Sequence, residues 1–106
     1  MSTNTQREMR ELVVRGLTGQ NLRALRQLAE TQFRREPLAR STVAAILKAL
    51  ADEYEDFDAV PTERFQRVND VIREPLLAAI DACDSGSTSR ILAAVEVLQA
   101  AFESLS

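Results

Sequence analysis

The chain has 106 residues, of which 45% are apolar and 27% charged, and its formal net charge is −3. This length suits one domain around one core, and this composition is typical of folded globular proteins, so extensive disorder is excluded. With 3 Gly and 3 Pro, the chain has too few turn residues for an all-β fold, and we predict a single all-α domain over residues 1–106.

Apolar side chains recur at steps of three and four residues along most of the chain. This spacing is typical of amphipathic helices that each bury one face against a shared core. It predicts a compact bundle of about five helices, over approximately residues 4–16, 19–35, 38–56, 62–83 and 88–104.

The breaks between the first three predicted helices carry residues that end or begin helices. Gly16 can end the first helix, since glycine accepts the left-handed conformation found at helix ends. Thr18 can cap the second helix through its hydroxyl oxygen. Pro37 either ends the second helix or begins the third, because proline is tolerated in the first turn of a helix. We also assign a helix-capping role to Ser41 and Thr42.

A proline lies within the fourth predicted helix, and a turn separates that helix from the fifth. Pro75 lies within the apolar stripe of the fourth helix, where it removes one backbone hydrogen bond, so we expect it to kink this helix or divide it in two. The segment that follows is rich in Ser and contains Gly86, which is the predicted turn residue. Ser87 or Ser89 is the predicted cap of the fifth helix.

Sequence features that report on cellular compartment point to the cytoplasm. The longest apolar run is far shorter than the ~18–20 residues of a membrane span, and residues 1–16 lack the apolar segment of a secretory signal. The single cysteine, Cys83, cannot form a disulfide within the chain, as is usual in a reducing compartment. We therefore expect a cytoplasmic protein that does not contact a membrane.

Residues suited to catalysis or cofactor binding are scarce in this chain. Histidine is absent, so the side chain that most often transfers protons near neutral pH is missing. Cys83 lies on an apolar stripe without a neighbouring base, which indicates a buried structural thiol. No glycine-rich phosphate loop or dinucleotide fingerprint occurs. We therefore expect a protein that is not an enzyme and that binds no cofactor.

A run of acidic residues follows the third predicted helix. Carboxylates at such positions could bind Ca²⁺, but an EF-hand loop needs a central glycine that this run lacks, so we expect no metal site. We interpret the run as a candidate acidic interaction surface, formed by Asp52, Glu53, Glu55, Asp56 and Asp58.

The two halves of the chain carry opposite charge. Residues 1–50 hold nine basic and four acidic residues, a net charge of +5, whereas residues 51–106 hold four basic and twelve acidic residues, a net charge of −8. Both sets of charges can be solvated helix faces around one core. Alternatively, the two halves attract each other within a chain or between chains, or the basic half binds nucleic acid. The candidate basic surface on the first two helices consists of Arg15, Arg23, Arg26, Arg34 and Arg35.

Residues 25–53 loosely resemble a helix-turn-helix, the DNA-binding motif whose second helix enters the major groove. The register departs from that motif, because Phe33 stands where a glycine is expected four residues after Ala29. The second helix of the motif would be the third predicted helix of the chain. Its outward positions offer few hydrogen bonds to base edges, and the acidic run that follows it would repel phosphates. Nucleic-acid binding through the Arg-rich face of the first two helices is therefore the alternative function.

The fifth predicted helix has an apolar stripe wider than a single core contact requires. This width indicates either a central position in the bundle or an interface, since exposed apolar patches usually mark interfaces. The candidate apolar interface consists of Leu92, Val95, Leu98 and Phe102. Together these features predict a non-enzymatic protein that acts through protein–protein contacts, as an adaptor, a regulator or a small subunit of a complex. We expect it to be a homodimer, and its protein partner is not identified by the sequence.

Overall fold

The computed structural model describes residues 4–54 and 63–105 of the chain. Within these two ranges the chain forms helices and no strand, so the predicted all-α bundle of about five helices is confirmed. The helices are α1 (Asn4–Arg15), α2 (Gly19–Gln32), α3 (Pro37–Tyr54), α4 (Glu63–Asp84) and α5 (Thr88–Glu103).

Each helix packs mainly against two others, and these contacts close a ring in the order α1, α2, α3, α5, α4. The helices α3 and α4 are consecutive in the chain but lie on either side of α5. The Cα atoms extend over 37 × 27 × 18 Å. Because packed helix axes are about 8–10 Å apart, the narrowest of these dimensions corresponds to about two layers of helices.

A single hydrophobic cluster draws side chains from all five helices. The predicted apolar stripes supply it, since one face of each amphipathic helix turns inward. Removing these side chains from water is the main favourable contribution to folding. The largest fully buried ones include Met9, Leu22, Phe33, Leu47, Ile72 and Leu98.

The corner between α1 and α2 forms as the glycine and threonine predict. Gly16 has a φ of +127°, a conformation that side chains with a Cβ rarely adopt, and its N–H donates to the Leu12 carbonyl over 3.2 Å. The Thr18 hydroxyl oxygen then accepts the N–H of Asn21 at 3.1 Å. The stop at Gly16 and the cap at Thr18 are therefore both confirmed.

Two asparagine side chains hold this corner in place. Asn21 Nδ2 donates to the Gly16 carbonyl over 2.8 Å. Asn69, in α4, accepts the Leu17 N–H at its Oδ1 over 2.8 Å and donates from Nδ2 to the Phe65 carbonyl over 3.1 Å. Because Leu17 and Asn69 are 52 residues apart, this pair fastens the α1–α2 corner directly to α4.

The second helix ends earlier and the third begins earlier than the sequence predicts. The last residue of α2 is Gln32, and Phe33 leaves the helix while its buried ring stays in the core. Pro37 occupies the first position of α3, where its missing N–H is not needed. The capping role assigned to Ser41 and Thr42 is wrong, because both lie inside α3.

The fourth helix runs as one element through Pro75, so it is not divided in two. Ile72 and Leu76, which flank the proline, are both fully buried. Packing on each side of Pro75 therefore holds the two parts of α4 in one helix despite the lost backbone bond.

The turn before α5 also follows its predicted chemistry. Gly86 has a φ of +72°, and Ser87 is the N-cap of α5, with its Oγ accepting the Arg90 N–H at 3.4 Å. Of the two predicted caps, Ser87 is therefore confirmed, and Ser89 lies within the helix.

No helix within residues 4–54 and 63–105 is both long enough and apolar enough to cross a bilayer.

Candidate protein-interaction surface

Large apolar side chains that remain exposed occur mostly on two helices that pack against each other. Among the described residues these are Val14, Leu38, Leu92 and Val97, and the last three belong to α3 and α5. Scattered exposed apolar residues are ordinary in proteins, whereas a shared location is typical of a contact surface. The side of the bundle formed by α3 and α5 is therefore the first candidate for an interface.

An open groove of about 750 Å³ lies along this side, and we call it the α3/α5 groove. Leu38 and Thr42 line it from α3. The residues that line it from α5 are Ser89, Leu92, Ala93, Val95, Glu96, Gln99 and Glu103. A hydrogen bond from Thr88 Oγ1 to Glu36 Oε1, 2.6 Å long, joins the starts of the two helices at one end of the groove.

The structure divides the predicted apolar interface on α5 between the core and the surface. Val95 and Leu98 are buried and belong to the core of the chain, although Val95 also lines the groove. Phe102 is half-buried against the same core. Leu92 is exposed and lines the groove. The apolar width of α5 thus reflects a buried face and an exposed face that adjoin each other.

Three exposed apolar residues within the described ranges are not among the predicted interface residues. Leu38 is 73% exposed, and it is five positions before Val43, the start of the predicted stripe on α3. At about 100° per residue this places Leu38 roughly 140° away from Val43 around the helix. The same arithmetic separates Val14 from Val13 and Val97 from Leu98. Helical position therefore identifies these residues as outward, although apolarity alone does not.

Among the residues that the structure describes, the charged ones that line the α3/α5 groove are all acidic. Glu96 and Glu103 contribute carboxylates, and the remaining lining residues are neutral. Glu96 and Glu103 are separated by seven residues of α5, which corresponds to about 10 Å along the helix axis. The groove therefore combines an apolar wall with two carboxylates, a combination suited to an apolar surface that also carries cations.

The predicted acidic surface is described only in part. Asp52 and Glu53 are exposed in the last described turn of α3. Glu55, Asp56 and Asp58 lie outside the described residues. Among the side chains that the structure describes, no group of three or more acidic or cysteine residues is arranged to hold a metal ion.

The predicted basic surface extends along the α1–α2 hairpin. All five of its arginines are exposed. Arg15 lies at the corner between the two helices, whereas Arg34 and Arg35 follow the far end of α2 and line a cleft there. The length of α2 separates these positions by about 20 Å. Arg23 and Arg26 lie on α2 between the two ends.

A second exposed apolar site lies on α1, within a shallow depression that we call the α1 face. It is lined by Arg7, Arg10, Glu11, Val14 and Arg15, and Val14 is 56% exposed. Arg10 also forms a salt bridge with Asp81 of α4. This salt bridge joins the basic half of the chain to its acidic half. At least part of the predicted charge attraction is therefore within the chain.

Cys83 lies in the end cleft of about 410 Å³ that Arg34 and Arg35 also line. Its thiol is half-buried. Burial raises the pKa of this thiol from 9.0 to about 12, and the nearby negative charge of Glu36 acts in the same direction. Because the thiolate is the nucleophile, a thiol that stays protonated at neutral pH is a poor candidate for covalent chemistry.

Alkylation of Cys83 by iodoacetamide is a direct test of this raised pKa. The rate in the folded protein is expected to rise about tenfold per pH unit from pH 7 to 10, without levelling off near 9. At pH 8 it should be about a thousandfold slower than in the chain unfolded in urea, since each pKa unit changes the thiolate fraction about tenfold. A folded-state rate that levels off near pH 9 would show that the thiol is not desolvated.

Comparisons with known proteins returned no match: no family model, curated protein or solved structure matches the chain.

Proposed function

We propose that this chain acts through protein–protein contacts, as an adaptor, a regulator or a small subunit of a complex, and that the α3/α5 groove is its contact surface. The proposal assigns no catalytic step to the chain. It rests on one observation above all. Leu38 and Leu92, two of the large exposed apolar side chains, line the same groove.

Leu38 is the most exposed large apolar residue in the described part of the chain. At 73% exposure, most of this leucine remains in contact with water although the chain buries leucines elsewhere. Covering a leucine side chain completely contributes about 1.5–3 kcal/mol. A partner seated in the groove would cover Leu38 and Leu92 together, so both would contribute to binding. Interfaces are commonly organised around a few such apolar anchors within a polar rim.

The rim of the groove supplies the polar part of such an interface. Ser89, Glu96 and Gln99 offer hydrogen-bonding groups beside the apolar wall. Polar and charged groups at a rim contribute little to affinity, but they determine which partners are accepted. The groove therefore offers both an apolar contribution to affinity and a charged contribution to specificity.

Site-specific photocrosslinking tests the proposal. A benzoylphenylalanine placed at Ala93, an exposed position in the groove, is expected to form a covalent adduct with a protein in cells that express the chain. The matched control places the same residue at Arg67, which is exposed on α4. We expect the adduct at position 93 and not at position 67. Equal adducts at both positions, or none at position 93, would contradict a contact surface in the groove.

A further inference from the structure

We infer that the occupant of the α3/α5 groove is a second copy of this chain, whose α1 face packs into the groove. This inference rests on the proposed function, because it identifies the partner for the same surface. Three features of the described residues support it: the charge of the groove, the charge of the α1 face, and the matching spacing of the charged residues along α5 and α1.

The charge of the groove argues against pairing one groove with another. In a two-fold dimer centred on this surface, the same patch of both copies meets itself. Glu96 and Glu103 of one copy would then lie near the same two carboxylates of the other. The lining residues that the structure describes include no Lys or Arg to separate them. Like charges brought together at an interface are unfavourable, so the groove requires a basic counterpart.

The α1 face has the composition that this groove requires. Val14 is the one large exposed apolar residue among the described positions that does not belong to α3 or α5. Arg7 and Arg15 flank it on the same face of α1. Glu11 lies between these two arginines, but the three arginines of the α1 face leave it net positive. The α1 face therefore presents an apolar side chain on a net positive surface, and the groove presents apolar side chains beside two carboxylates.

The spacing of the charges along the two helices also agrees. Arg7 and Arg15 are eight residues apart, or about 12 Å along α1. Glu96 and Glu103 are seven residues apart, or about 10 Å along α5. An α1 helix laid along α5 can therefore place both arginines within reach of both carboxylates. Arginine side chains are long enough to absorb the remaining difference.

The contact joins two different surfaces of the chain. If two such contacts are related by a two-fold axis, they close a dimer. A single contact repeated from copy to copy produces a ring or an open chain instead. In each case the same two pairs of charged residues meet at the rim beside the apolar contact, and salt weakens their attraction.

A charge-exchange experiment by sedimentation velocity tests the inference. The wild-type protein is expected to self-associate at micromolar concentration, and less so at high salt. The Glu96→Arg/Glu103→Arg variant and the Arg7→Glu/Arg15→Glu variant should each associate at least tenfold more weakly. An equimolar mixture of the two should recover association, because each supplies the surface that the other has lost.

Controls separate the contact from folding and from net charge. All four substituted residues are exposed, so both variants should keep the helix content and melting behaviour of the wild type. An Asp70→Arg/Glu74→Arg variant changes net charge by the same amount as the glutamate variant, at exposed positions of α4. It should associate as the wild type does.

Three results would overturn the inference: a wild-type protein that stays monomeric at high micromolar concentration, variants that associate normally, or a mixture that does not recover association. These outcomes can be told apart from failure of the proposed function. A monomeric wild type that still yields an adduct with another protein at position 93 removes only the second copy as occupant. The absence of any adduct at position 93 removes both.

Discussion

Replacing Leu98 by alanine is expected to lower the free energy of unfolding by about 2–5 kcal/mol. The Leu98 side chain is fully buried in the core, on the inner face of α5. Its truncation removes apolar contacts with the core and leaves a cavity that the surrounding helices only partly refill. Urea unfolding followed by circular dichroism measures the loss as a lower midpoint with an unchanged slope.

The Leu92→Ala variant is the matched control for this prediction. It makes the same chemical change on the same helix, but Leu92 is 36% exposed and lies in the groove. At a protein concentration below that of self-association, its effect on unfolding should stay under about 1 kcal/mol. Equal losses for the two variants would contradict the assignment of Leu98 to the core and of Leu92 to the surface.

Replacing Asn69 by leucine is expected to cost about 1–3 kcal/mol, the usual penalty for a buried polar group left without its partner. Asn69 Oδ1 accepts the Leu17 N–H, and leucine has a similar size but no acceptor. The loss should also be local. Hydrogen exchange at the Leu17 amide should accelerate more than tenfold, since this bond fastens the α1–α2 corner to α4.

An Asp70→Leu variant is the control for the substitution at Asn69. It introduces the same residue at the next position of α4, where the side chain is exposed. Its effect on unfolding should lie within about 0.5 kcal/mol, as for most surface changes. If the Leu17 amide of the Asn69→Leu variant exchanged at the wild-type rate, the hydrogen bond to Asn69 would not be what holds the α1–α2 corner to α4.

The caps and turns of this chain could be predicted from the sequence, whereas the hydrogen bond between Asn69 and Leu17 could not. Gly16, Thr18, Gly86 and Ser87 act on backbone groups within a few residues, so their roles follow from local turn and cap chemistry. The bond between Asn69 and Leu17 joins positions 52 residues apart. No local pattern identifies such a pair, because the packing of α1 and α4 has to be known first.

The capping role wrongly assigned to Ser41 and Thr42 has a similar origin. Hydroxyl residues favour helix starts, but Pro37 also favours the first turn of a helix. In the structure the proline determines where α3 starts, one turn earlier. Thr42 is therefore an interior residue of α3, and it lines the α3/α5 groove. The apolar stripes of the helices predict the core. The start of α3 depends instead on which of two nearby candidates, Pro37 or the Ser41–Thr42 pair, begins the helix.

The predicted interface residues on α5 are divided between the core and the surface. The apolar width of α5 is real, since Leu92 and Val97 are exposed while Val95 and Leu98 are buried. The order of helices around the bundle determines which of these apolar residues of α5 face the core and which face solvent. This order depends on contacts between distant segments, and α5 lies between α3 and α4. Sequence periodicity does not contain that information.

The charge asymmetry of the chain has one observed use and one proposed use. The salt bridge between Arg10 and Asp81 joins the two halves within the chain. The proposed contact joins Arg7 and Arg15 of one copy with the acidic groove of another. Both follow from the same distribution of charge along the sequence, and they use different arginines on the α1 face.

The most direct measurement of the central claim is the identity of the peptide captured by the photoreactive residue at position 93. We would mix photoreactive chain with ordinary chain labelled with nitrogen-15, crosslink the mixture, and digest it with trypsin. We predict a labelled peptide from α1, residues 11–15, which contains Val14. A labelled peptide from another helix of the chain, or no labelled peptide at all, would contradict packing of the α1 face into the α3/α5 groove.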